Sequence, residues 1–119
     1  ACRELERGIA PESATMQHVE AMRQYIRDHY RSKITKEQLG AAIRKSPNYA
    51  ASLFSSVTGQ TISGYVHALR VKTAVYMLSE SLLTIGEIAE YLGYSDVSYF
   101  HKTFKRITGV APSAYAGDR

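Results

Sequence analysis

Two short segments carry polar side chains that helical spacing would turn outward together. In KSPNYAASLFSSVTGQTISGY, residues 45–65, that spacing puts Ala50, Leu53, Phe54 and Val57 on one side and Asn48, Ala51, Ser52 and Ser55 on the other. In GYSDVSYFHKTFKRITGVAPSAY, residues 93–115, it puts Phe100, Thr103, Phe104 and Ile107 inside and Ser98, His101, Lys102 and Lys105 outside, with Val97 at the edge of the core. Short polar or cationic tips on a slim helix suit a helix that enters a groove and hydrogen-bonds to base edges. A polar outer face is also what any solvated helix has, and one copy alone does not separate the two readings. No charge falls on the first face, whereas the second is cationic.

The two segments are copies of each other. Tyr49, Phe54, Thr58, Gly59, Ser63 and Tyr65 recur fifty residues later as Tyr99, Phe104, Thr108, Gly109, Ser113 and Tyr115. Upstream the offset becomes forty-nine, pairing Thr35 with Thr84, Leu39 with Ile88, Ile43 with Leu92 and Ser46 with Ser95. A one-residue length change in the turn accounts for the slip. Each copy then reads as a short helix, a tight turn and a second helix, the connection length of a helix-turn-helix.

The elements that must hold these faces follow from periodicity and caps. Met16, Val19, Met22, Tyr25, Ile26 and Tyr30 form an apolar stripe that predicts a first helix over 14–30, after a charged segment, 1–13, that reads as a linker. Thr35 with Gln38 and Thr84 with Glu87 have the form of capping boxes, opening short helices whose apolar sides are Leu39, Ala42 and Ile43, and Ile85, Ile88, Ala89 and Leu92. Ser46-Pro47 predicts the start of a third helix and Gly59 its end; Ser95 is the expected cap of a sixth helix that Gly109 stops. Between the copies, residues 61–79 predict a long spacer helix, and Pro112 opens a short final one. No window alternates with period two for long enough to predict a strand. The expected fold is all-α, with helix-turn-helix units over about 35–59 and 84–109. A spacer of roughly 18 residues spans about 27 Å, close to the roughly 34 Å of one DNA turn.

Composition narrows the function classes. With 119 residues, 45% of them hydrophobic and 22% charged, the chain can build one modest core and is not of disordered type. A net charge of +4 leans toward anionic partners. Cys2 stands alone, which excludes an internal disulfide and fits a reducing cytoplasm. His18, His29, His67 and His101 are scattered without metal-ligand spacing, and no nucleophile, phosphate-loop or paired-carboxylate pattern supports an enzyme or a cofactor. No apolar run suits a membrane span or a signal peptide. The start at Ala1 reads as that of a fragment or a processed chain.

The residues from Val19 to Tyr115, most strongly GYSDVSYFHKTFKRITGVAPSAY, resemble the DNA-binding region of the AraC/XylS family of bacterial transcription regulators. Arg70, Ala74 and Leu78 resemble that family's linker helix. The resemblance implies a bi-lobed, seven-helix domain over 14–119 with two helix-turn-helix units joined by a long linker helix, binding promoter DNA in two successive major grooves. It also implies RNA polymerase as a partner, and sensing and dimerisation in a separate N-terminal domain. It carries base-reading roles onto Asn48, Ala51, Ser52 and, less directly, Ser55 in the first copy, and onto Val97, Ser98, His101 and Lys102 in the second. Val97 either packs or touches a thymine methyl, and Lys102 meets a guanine edge or a phosphate. Phosphate contacts are expected from Ser55, Lys72, Lys105 and Arg106. They are also expected from Thr35 and Thr84, unless these only cap, and from Arg70, unless it bridges to Glu87 or Glu90. Gly40 departs from the family's usual Ala and softens the first unit unless tight packing needs it. The uncharged first face keeps a protein-interaction module open as the competing reading.

Overall fold

The computed structural model describes the backbone of residues 2–116 and the side chains of residues 14–116. Its elements are α1 (Cys2–His29), α2 (Lys36–Ile43), α3 (Pro47–Thr58), α4 (Ile62–Glu80), α5 (Ile85–Tyr91), α6 (Val97–Thr108) and α7 (Ser113–Ala116). No strand occurs among the described residues. The chain folds into two units: one holds the chain up to Asp28 together with Ile34–Ile62, and the other holds His29–Lys33 together with the chain from Ser63 onward.

The first unit forms around stripes the periodicity predicts. Val19, Met22 and Ile26 on α1, Leu39 and Ile43 on α2, and Ala50 and Phe54 on α3 are all buried. Thr35 Oγ1 accepts from the Gln38 amide at 3.2 Å and Gln38 Oε1 accepts from the Thr35 amide at 2.9 Å, which closes the capping box that starts α2. Ser46 Oγ accepts from the Tyr49 amide at 3.1 Å, and Pro47 fills the first helical position of α3.

The second unit repeats this plan around a core of Val71, Ala74, Leu78, Ile88, Ala89, Leu92, Tyr94, Phe100 and Phe104. The long helix α4 is also one wall of this unit from Ser63 onward. A Thr84–Glu87 capping box starts α5, with bonds of 3.0 and 2.8 Å. Both copies end their second helix alike: Thr58 and Thr108 donate back to the carbonyls of Phe54 and Phe104 at 2.7 and 2.9 Å, followed by Gly59 and Gly109 at φ 76° and 90°. That shared stop is why the Thr-Gly pair recurs.

Several expectations change. Asp96, not Ser95, caps α6, its Oδ1 accepting from the Ser98 amide at 2.9 Å. The second turn is one residue longer, so Ser46 matches Asp96 and the offset of fifty holds from the caps onward. The α1 backbone is helical from Cys2 rather than from Ala14, consistent with the high helix propensity of the Arg, Glu and Leu residues in 3–7, which needs no apolar stripe; the side chains of the expected linker lie outside the described residues. Met16, Ala42, Val57 and Ile107 are exposed although the pattern places them inside. Tyr49 and Tyr99, at matching positions of the two copies, are each nearly half exposed.

Candidate nucleic-acid interface

In the first unit, Asn48, Ser52 and Ser55 are exposed on α3 and Ala51 is half-buried between them. Asn48 is the second residue of α3, just inside the Ser46 cap, so its side chain stands at the helix opening. The face is not neutral as expected: Lys36, the first residue of α2, extends its Nζ to 2.8 Å from Asn48 Oδ1. This charge arrives from the other helix of the motif, where the periodicity of α3 alone cannot reveal it.

In the second unit, Val97, Ser98, His101, Lys102, Lys105 and Arg106 are all exposed on α6. Val97 is 43% exposed, which takes it out of the core and leaves its methyls free for contact. His101 sets its ring edge-on to buried Phe100, with centroids 6.3 Å apart, so its orientation is braced by the core. Lys105 and Arg106 occupy the last turn, where positive charge complements the helix dipole. The two faces occupy equivalent positions from their caps, Asn48 matching Ser98, Ala51 matching His101, Ser52 matching Lys102 and Ser55 matching Lys105.

The flanking residues divide. Lys72 is exposed on α4. Thr35 and Thr84 use their hydroxyl oxygens as caps, and their own amides are taken by Gln38 and Glu87. Any amide offered to an anion there would come from the first two residues of α2 or α5, not from the threonines.

Arg70 leaves the expected phosphate set. It is 7% exposed, its Nε donating to the Tyr30 carbonyl at 2.6 Å and its Nη2 to the Ser32 carbonyl at 2.9 Å, with the guanidinium 4.9 Å from the centre of the Tyr94 ring. Neither Glu87 nor Glu90 is its partner in these bonds. A buried cation persists when carbonyls and an aromatic face replace its water. Its place on the stripe Val66, Arg70, Ala74 is the sequence signal for this inward role.

One polar cluster has no counterpart in the sequence pattern. Tyr94, in the turn before α6, approaches His67 Nδ1 at 2.7 Å, and Tyr99 approaches His67 Nε2 at 3.4 Å. Burial pushes His67 below the ordinary imidazole value, and the nearby charges of Arg70 and Arg106 push the same way. Burial also raises the Tyr94 phenol, against the pull of Arg70. A neutral imidazole held by two phenols thus fastens α6 and its preceding turn to α4. Among the described residues no group of His, Cys, Asp and Glu could hold a metal, and no helix is long and apolar enough to cross a membrane.

Comparison with known proteins agrees with this geometry. The model of a helix-turn-helix domain family matches residues 39–118. An uncharacterized HTH-type transcriptional regulator of Bacillus subtilis, YisR, is 35% identical over 91 residues, covering 76% of this chain and 32% of its own length. The C-terminal domain of AraT, a response regulator from Geobacillus stearothermophilus, superposes with a TM-score of 0.79 at 31% identity, covering 86% of this chain and 85% of that one. The DNA-binding domain of AdpA, a global transcriptional factor solved with a target DNA, shares the fold at 23% identity and a TM-score of 0.75, covering 82% of this chain and 88% of its own. The chain spans about a third of the length of the curated relatives it matches, at 32, 34 and 32%. With a duplicated, identically stopped helix-turn-helix and a family match over most of its length, this chain belongs to the AraC/XylS family of helix-turn-helix domains.

Proposed function

We propose that this chain binds double-stranded promoter DNA sequence-specifically and thereby regulates transcription, laying α3 and α6 into successive major grooves. The observation that carries this reading is the pair of equivalent, exposed faces on two capped helices, one polar along α3 with Lys36 of α2 beside it and one cationic along α6. Asn48, Ala51 and Ser52, with Val97, Ser98, His101 and Lys102, are the base-facing set. Ser55, Lys72, Lys105 and Arg106, with the openings of α2 and α5 at Thr35 and Thr84, meet the backbone. Such contacts set register, while base contacts set sequence. Action at a promoter makes RNA polymerase the natural second partner. The competing reading, a module that meets only protein, rested on an uncharged first face, and Lys36 removes that support.

Selection of bound sequences from random duplexes, followed by footprinting and salt titration, tests the proposal. Four or five neutralised phosphates give a slope of log K against log salt of roughly −4. Protection should cover two adjacent major grooves. Lys102→Ala should weaken binding by about 1 to 3 kcal/mol and relax one position if it reads a base. A flat salt response, or tight binding to a protein partner with no detectable DNA affinity, overturns the proposal.

A further inference from the structure

We infer that Lys36 is a specificity-positioning residue: by holding Asn48 Oδ1 it turns Asn48 into a donor-only reader that favours guanine over adenine. This rests on the proposed DNA-binding role of α3. Lys36 Nζ lies 2.8 Å from Asn48 Oδ1, and both side chains are exposed. An ammonium has only donors, so the oxygen, not the nitrogen, of the Asn48 amide must face it. The planar amide then turns its two N–H bonds away from Lys36.

That orientation decides what the amide can recognise. A free asparagine reads adenine with both ends, accepting from N6 and donating to N7. Here the accepting end is engaged by a cation, whose positive charge also repels the N6 amino group of adenine. The donating end is unaffected and is reinforced by Lys36 beside it. Guanine presents two acceptors, O6 and N7, in the major groove and satisfies an all-donor pair. Residues twelve apart, on different helices of one helix-turn-helix, therefore act as one composite reader.

The test compares base preferences of the 119-residue chain and its variants on random duplexes. Asn48→Ala should relax one position, which identifies the base that Asn48 reads. At that position the unaltered chain should favour guanine over adenine by about fivefold or more. Lys36→Met should free the amide and bring the ratio to parity or reverse it, with preferences at all other positions unchanged. Lys36→Arg, which still donates to the oxygen, should retain the guanine preference. A uniform loss of affinity in Lys36→Met with unchanged preferences would make Lys36 a phosphate contact and overturn the inference, as would adenine preference in the unaltered chain. Absence of any sequence-specific binding by the unaltered chain would overturn the proposed function itself, and this inference with it.

Discussion

Replacing Gly40 with Ala should destabilise the first unit, although the substitution improves helix propensity. In the interior of α2, Gly→Ala contributes up to about 1 kcal/mol in favour of the helix. Against it, a Cβ on Gly40 would stand 2.7 Å from the Lys45 carbonyl oxygen, 3.1 Å from the Pro47 nitrogen and 3.1 Å from the Ser46 carbonyl carbon. All three are backbone atoms, so no side-chain rotation relieves the overlap. The turn they belong to is pinned: the Lys45 amide donates to the Gly40 carbonyl at 2.9 Å and the Ala50 amide to the Ser46 carbonyl at 3.0 Å. Overpacking of this kind costs about 1 to 3 kcal/mol, and more where nothing yields. The net expectation is a loss of about 1 to 2 kcal/mol. With a urea m-value of about 2 kcal/mol/M, the midpoint falls by roughly 0.5 to 1 M.

The second unit supplies the control. At the position matching Gly40 it carries Ala89, buried and tolerated, and its turn is one residue longer. Inserting one serine between Lys45 and Ser46 in the Gly40→Ala background should therefore recover a large part of the loss. Urea unfolding followed by far-UV circular dichroism measures the magnitude, and hydrogen exchange localises it to α2 and α3. A Gly40→Ala chain as stable as the original, or one whose loss appears equally in α5 and α6, would refute the steric argument.

Arg70→Met removes the donors of two carbonyls and should cost about 2 to 4 kcal/mol in urea unfolding, with hydrogen exchange rising first around residues 29–33. Thr103 is fully buried in α6 and its Oγ1 has no hydrogen-bond partner, so Thr103→Val, which keeps the shape, should raise stability by about 1 kcal/mol in the same assay. His67 has a lowered pKa in the folded chain, so the unfolded chain binds the proton more readily and folding is favoured above the unfolded imidazole value. Stability should therefore fall as pH drops through about 6.5, and His67→Gln should flatten the difference between unfolding measured at acidic and neutral pH.

Local chemistry made much of the fold legible. The Thr35–Gln38 and Thr84–Glu87 boxes, the Ser46-Pro47 start and the Thr-Gly stops each act within four residues, and the structure keeps every one of them. The stripes of α1, α2 and α5 named Val19, Met22, Ile26, Leu39, Ile43, Ile88, Ala89 and Leu92, which are buried, along with Met16 and Ala42, which are exposed. What sequence could not supply lies in contacts between distant residues. The inward turn of Arg70 depends on carbonyls forty and thirty-eight positions away, and the His67 cluster joins residues twenty-seven and thirty-two apart. The charge on the first face comes from Lys36, on the neighbouring helix. For the candidate interface, periodicity therefore found Asn48, Ser52, Ser55, Ser98, His101, Lys102 and Lys105 on the outside, misplaced Val97 at the core's edge, and missed what holds these side chains.

The duplication shows how the two copies met one backbone problem differently. The first copy has a short turn, a glycine beneath it at Gly40, and Arg44 at φ 60° closing α2. The second has a longer turn, Ala89 in place of that glycine, and Gly93 at φ 98°, where a Cβ would run into the Arg31 carbonyl group. Glycine thus appears in each copy where the backbone approaches closest, and the two approaches fall at different places. Gly40 is accordingly a requirement of tight packing rather than a soft spot in the first unit. The same logic makes the copies non-interchangeable residue by residue: Ala89 suits its site only because Ser95 lengthens the turn, and Arg44 suits its site because its side chain stays exposed where Gly93 has no room for one.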